Sequence, residues 1–212
     1  MTTKLAAATV MLAFIALPAH ATLKVGDKAP DFSAQASLGG KEFNFSLADA
    51  LKKGPVVLYF YPAAFTKGCT IEAHDFAEAT DEFKKLGATV IGISHDKIDT
   101  LNKFSVSDCR SKFAVAADPD GKVIESYDAK IPLLPYSSRT SYVISPKGEI
   151  LMEYSDMKPD QQRTPWPQHS AELLEHTGHG VVGHVDHRPE REHAGNGVVG
   201  QGEVGHRPDL EA

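Results

Sequence analysis

The chain has 212 residues, 42% of them apolar, with a formal charge of −6 and only two cysteines. That is enough apolar material for one well-packed domain with extensions. The acidic balance offers no field for nucleic acid or an anionic membrane, so both are excluded as expected partners.

The first 21 residues read as an export signal. Lys4 supplies a positive start, "LAAATVMLAFIAL" an apolar stretch, and "PAHA" a breaker ending in Ala-x-Ala. This pattern predicts cleavage after Ala21 and a soluble periplasmic product with no membrane contact thereafter. An uncleaved anchor is the alternative, but the apolar run is short for a span. Export would place Cys69 and Cys109 where disulfides form and persist.

Residues 22–177 read as one α/β domain. The segment to Leu51 carries Gly, Pro and Asp turns around short alternating strands. "GPVVLYFYP" (54–62) is a continuous apolar and β-branched run, the pattern of a strand buried on both faces. From Cys69 to Gly87, Ile71, Phe76, Phe83 and Leu86 fall on one helical face, and glycine ends the pattern. "ATVIGISH" (88–95) predicts a second buried strand. A helix over 96–109 follows, with Asp96 as its expected cap. "FAVAAD" (113–118) is a third strand, and 139–156 reads as a hairpin around Pro-Lys-Gly. Strand, helix, strand, helix, strand and hairpin imply a central mixed sheet with helices on both faces. Chemistry in such sheets sits at the carboxyl ends of the parallel strands, where Cys69 falls.

From about Gly178 the composition shifts. "GHGVVG…HRPE" and "GNGVVG…HRPD" make an imperfect repeat rich in Gly and His, and seven of the ten histidines lie from His169 onward. Such a stretch buries too little to offset its ordering entropy, so 178–212 is expected to be disordered. A metal-binding tail, a solvated extension and a repeat or frameshift product are all compatible with it.

Cys69 is expected at an exposed corner opening a helix. A thiol reacts as its thiolate, and a helix N-terminus presents unpaired N–H groups that favour an anion. Lys67 adds a cation two residues away. Thr66 offers a hydroxyl, Gly68 and Cys69 offer N–H groups, and Arg139 brings a guanidinium from a later strand. Donors of this kind stabilise charge on a leaving oxygen.

"PAAFTKGC" (62–69) fits the pattern Pro-x-x-x-Thr-x-x-Cys, "GCTIE" is followed by Phe76, and "SSRTSYVISPKGEI" (137–150) supplies an arginine-bearing hairpin. In these three segments, within residues 23–157, the chain resembles the peroxiredoxins, on their bacterioferritin-comigratory or Q-type branch. The resemblance implies a thioredoxin-like fold and thiol-based reduction of hydrogen peroxide or organic hydroperoxides, with no metal or haem cofactor. It implies that Cys69 is the peroxidatic cysteine, oxidised to a sulfenic acid. Thr66 and Arg139 would contact thiolate and peroxide, and Pro62 would shield them from water. Glu72 would support this network, or serve only as a first-turn helix acid. Lys67 stands where many members have proline.

Where many members carry a second cysteine five residues on, this chain has His74, a helix-surface residue rather than a base. Cys109, in "FSVSDCRSKF", is then the candidate resolving cysteine. The disulfide formed would be reduced by a thioredoxin-like or other dithiol protein. Bridging requires Cα atoms within about 7 Å, so local unfolding is expected during turnover. A purely structural Cys109 is the alternative. Monomeric function is expected. Three rivals remain. A thiol–disulfide oxidoreductase lacks its Cys-x-x-Cys, a metal carrier lacks regular ligand spacing, and a disulfide-stapled domain has no use for Thr66, Gly68 and Arg139 where they stand.

Overall fold

The computed structural model describes residues 23–155. The predicted signal segment 1–21, the end of the predicted domain at 156–177 and the predicted tail 178–212 lie outside the described residues.

The described chain runs β1 (Ser33–Leu38), β2 (Lys41–Ser46), α1 (Leu47–Leu51), β3 (Val56–Phe60), α2 (Lys67–Lys85), β4 (Thr89–Ser94), α3 (Ile98–Ser107), β5 (Ala114–Ala117), α4 (Lys122–Ser126), β6 (Thr140–Ile144) and β7 (Ile150–Ser155). The strands form one sheet in the order β2-β1-β5-β4-β3-β6-β7. The pairs β3–β4 and β4–β5 are parallel, as strands joined through α2 and α3 must be. The remaining pairs are antiparallel.

Alternation along β3 divides the core. Val57 and Tyr59 point to the face covered by α2 and α3, where Phe76, Phe83, Leu101 and Phe104 pack. Val56, Leu58 and Phe60 point to the face covered by α1 and α4, with Leu47 and Ile124. All five residues of β3 are buried, which is why the run carries no polar alternation. The Tyr59 ring crosses β4 at Gly92, and a Cβ there would stand 2.7 Å from the ring carbons. Tyr59 also stacks on Phe76 with centroids 4.3 Å apart.

Two expectations are corrected, and one helix appears where none was expected. Helix α2 begins at Lys67, two residues before Cys69, so the cysteine lies within the first turn. Helix α3 spans Ile98–Ser107 with Lys97 at its N-cap, and Asp96 is used elsewhere. Helix α4, in "DPDGKVIESY", was unexpected because its five residues carry no apolar period.

Candidate active site

Strand β3 delivers the loop that ends in Thr66. Tyr61 N–H still reaches the Ile93 carbonyl of β4 at 3.1 Å, and Ser137 Oγ donates to the Tyr61 carbonyl at 2.6 Å. Farther on, Ala64 N–H donates to Asp96 Oδ2 at 2.7 Å, and the same oxygen accepts from Ser94 Oγ at 2.9 Å. Asp96 therefore fixes the loop rather than capping α3. Phe65, at φ 63°, is left-handed, a conformation costing on the order of 1–3 kcal/mol that the anchored loop imposes. Its ring meets Phe104 edge-on at 5.3 Å.

Thr66 is the N-cap of α2, and its carbonyl accepts the first helical bond from Thr70 N–H at 2.9 Å. The N–H groups of Gly68 and Cys69 precede that bond, so they stand at the positive end of the helix. Thr66 is exposed, and its hydroxyl donates to the Ala63 carbonyl at 3.1 Å rather than to the cysteine. Pro62 is half-buried beside it.

Cys69 is 1% exposed, not the exposed corner expected. The inner face of α2 explains this: Cys69, Glu72, Ala73 and Phe76 recur at i, i+3, i+4 and i+7 and all point at the sheet. Arg139, just ahead of β6, reaches across. Its Nη2 donates to Cys69 Sγ at 3.2 Å and its Nη1 to Glu72 Oε2 at 2.5 Å. Arginine and glutamate are 5% and 4% exposed. A planar guanidinium is suited to this bridge, because it presents donors to two acceptors at once. Burial pushes the Glu72 carboxyl up to about 7, against the opposing pull of Arg139. Glu72 lies one turn from Cys69, a spacing that by itself places the two side chains together.

Cys109 lies two residues beyond α3, not at its end. It is fully buried in the same core cluster as Cys69, and both thiols are free. Burial, and then the neighbouring Asp108 charge, push its thiol far above the ordinary cysteine range. Both sulfurs lie within electrostatic reach of the buried Tyr59 hydroxyl, which burial first of all pushes well up. The structure brings Cys69, Glu72 and Arg139, three of the residues singled out in the sequence, into one contact. Sequence reasoning misses Asp96 and Ser137, whose hold on the loop is through the Ala64 N–H and the Tyr61 carbonyl, main-chain groups that no side-chain motif encodes.

Residues 25–152 match the AhpC/TSA family. A Helicobacter pylori chain named as a bcp peroxiredoxin is 39% identical over 134 residues, covering 60% of this chain and 85% of that one. Peroxiredoxin Bcp of Escherichia coli K12 is 33% identical over 142 residues, covering 64% of this chain and 88% of that one. Among solved structures, peroxidoxin BcpB of Mycobacterium tuberculosis superposes with a TM-score of 0.62 at 30% identity, covering 75% of this chain and 99% of that one. The matched span holds Cys69, Glu72, Cys109 and Arg139 alike; the chain belongs to the AhpC/TSA family and is a peroxiredoxin, a thiol-dependent peroxidase.

Proposed function

We propose that Cys69 reduces hydrogen peroxide and organic hydroperoxides, and that Cys109 resolves its sulfenic acid into an intramolecular disulfide. An external dithiol protein, thioredoxin-like in chemistry, would then restore both thiols. The observation that carries this reading is the Arg139 guanidinium, 3.2 Å from Cys69 Sγ and pinned on its other side by Glu72.

In the first step the thiolate attacks one peroxide oxygen and the O–O bond breaks. The departing oxygen leaves as water or alcohol once protonated, and sulfur becomes S–OH. Arg139 holds the sulfur in line, while the N–H groups of Gly68 and Cys69 face the developing charge. Thr66 would act through its hydroxyl after turning from the Ala63 carbonyl, and Pro62 by keeping the loop dry.

In the second step Cys109 attacks the sulfenic sulfur; S–S forms, S–O breaks, and oxygen leaves as water. Supporting this role, Cys109 is the only other thiol in the sequence. The test uses pre-reduced protein, measuring peroxide loss and free thiols together. Stoichiometric consumption with loss of two thiols is expected. Cys69→Ser should abolish consumption, and Cys109→Ser should accumulate a sulfenic acid that dimedone captures. Consumption surviving Cys69→Ser would refute the assignment.

We also propose that the chain is exported, on the pattern of residues 1–21, and that its working unit is a monomer. Recovery of a product beginning at Thr22 from a periplasmic fraction, and sedimentation of that product, check the two points.

A further inference from the structure

Thr70 and Asp108 are the immediate chain neighbours of the two cysteines, and they are bonded to each other. Thr70 Oγ1 donates to Asp108 Oδ1 at 2.6 Å. The other carboxylate oxygen accepts from Ser107 Oγ at 2.5 Å. Asp108 is 7% exposed, so these two hydroxyls replace much of the hydration that its charge has lost.

The loop after Asp108 lies along α2. Arg110 pairs with Glu78 at 3.1 Å and Lys112 with Asp81 at 3.0 Å, so the loop is attached to the helix at positions 70, 78 and 81. The two ion pairs are exposed and hold weakly. The Thr70 contact is the sheltered one. Between these attachments, Arg110 and Ser111 take φ of 50° and 55° in succession. Consecutive left-handed residues without glycine are strained, and opening the loop relieves them.

We propose that the Thr70–Asp108 hydrogen bond is a latch that keeps Cys109 in the core and sets how fast it reaches the oxidised Cys69. This rests on Cys109 being the resolving thiol. A thiol buried beside a carboxylate is a poor nucleophile in place, so Cys109 must leave the core to attack. The latch opposes departure and the strained backbone favours it. Thr70 follows Cys69 in the first turn of α2. An oxygen added to a sulfur that is 1% exposed disturbs that turn and the latch with it. Oxidation at one cysteine is thereby linked to release of the other through one bond. While the latch holds, the sulfenic acid is open to a second peroxide and conversion to sulfinic acid.

Thr70→Val keeps the shape and removes the donor. The Asp108 oxygen then lacks a partner only while folded, so the open form gains roughly tenfold. Two readouts on reduced, full-length protein separate the latch from the role of Cys109. Hydrogen exchange of the Ser111 and Lys112 amides should quicken by about that factor. Disulfide formation after one equivalent of peroxide, followed by quenched-flow mass spectrometry, should quicken in parallel, with less sulfinic acid at excess peroxide. Asp108→Asn, which weakens the same bond, should move both readouts the same way and serves if Thr70→Val fails to fold. Unchanged exchange overturns the latch whatever Cys109 does. Faster exchange with unchanged disulfide formation overturns its control of the reaction. No sulfenic acid in Cys109→Ser overturns the resolving role, and with it the regulatory meaning of the latch.

Discussion

Arg139 is the residue whose substitution tests the site most directly. Its two nitrogens serve two acceptors, Cys69 Sγ at 3.2 Å and Glu72 Oε2 at 2.5 Å, all in a nearly water-free setting. In Arg139→Lys the positive charge stays, but one ammonium must choose between them. The carboxylate, with its concentrated charge and shorter contact, keeps it, and the sulfur and the departing oxygen lose a charge-assisted donor. A bond of that type contributes about 1.5–3 kcal/mol, so the rate constant for Cys69 oxidation should fall roughly 10- to 150-fold. Competition against a haem peroxidase of known rate, followed by stopped flow, measures that constant. Thermal unfolding run in parallel should show a change of only a few degrees, because Glu72 keeps a cation. A folded Arg139→Lys protein reacting within twofold of the natural one would refute the bridging role.

Other outcomes follow from the same geometry. Folding raises the Glu72 carboxyl from its ordinary 4.5 to about 7, so between those values the folded chain holds a proton that the unfolded chain has lost. Glu72 therefore makes stability fall as pH rises through that window, by on the order of 3 kcal/mol in all, and level off above it. Urea titrations of the natural protein and Glu72→Gln across pH 4.5–8 should differ by that slope; parallel curves would sink the idea. Gly92→Ala sets a methyl 2.7 Å from the Tyr59 ring and should cost about 1–3 kcal/mol by overpacking, read from the urea midpoint. Asp96→Ala removes the acceptor of Ala64 N–H and Ser94 Oγ. It should loosen residues 62–66 in hydrogen exchange and slow peroxide reduction severalfold.

The central strands were legible because β3, β4 and β5 are buried on both faces and so read as unbroken apolar runs. Cys69, Glu72 and Arg139 were legible through motif spacing, whereas the helical face read from Ile71 and Leu86 left out Glu72, which the structure buries. The burial of Cys69 was not legible. Its chain neighbours Thr66, Lys67 and Gly68 look like a surface turn, and what covers the sulfur comes from Arg139 and from the sheet beneath α2. Asp96 was misassigned because an acid after a strand commonly caps the next helix, whereas here an irregular loop supplies a nearer donor. Helix α4 is too short to show a period.

Both sulfurs are sealed, at 1% and 0% exposure, and this imposes a calendar on the protein's encounters. In this closed conformation neither sulfur is open to a partner protein. Under the proposed cycle, a folded dithiol partner would have nothing to touch until the disulfide had carried its sulfurs outward. That cycle would separate the two encounters in time, and the resting thiols would be kept from other dithiol proteins by burial.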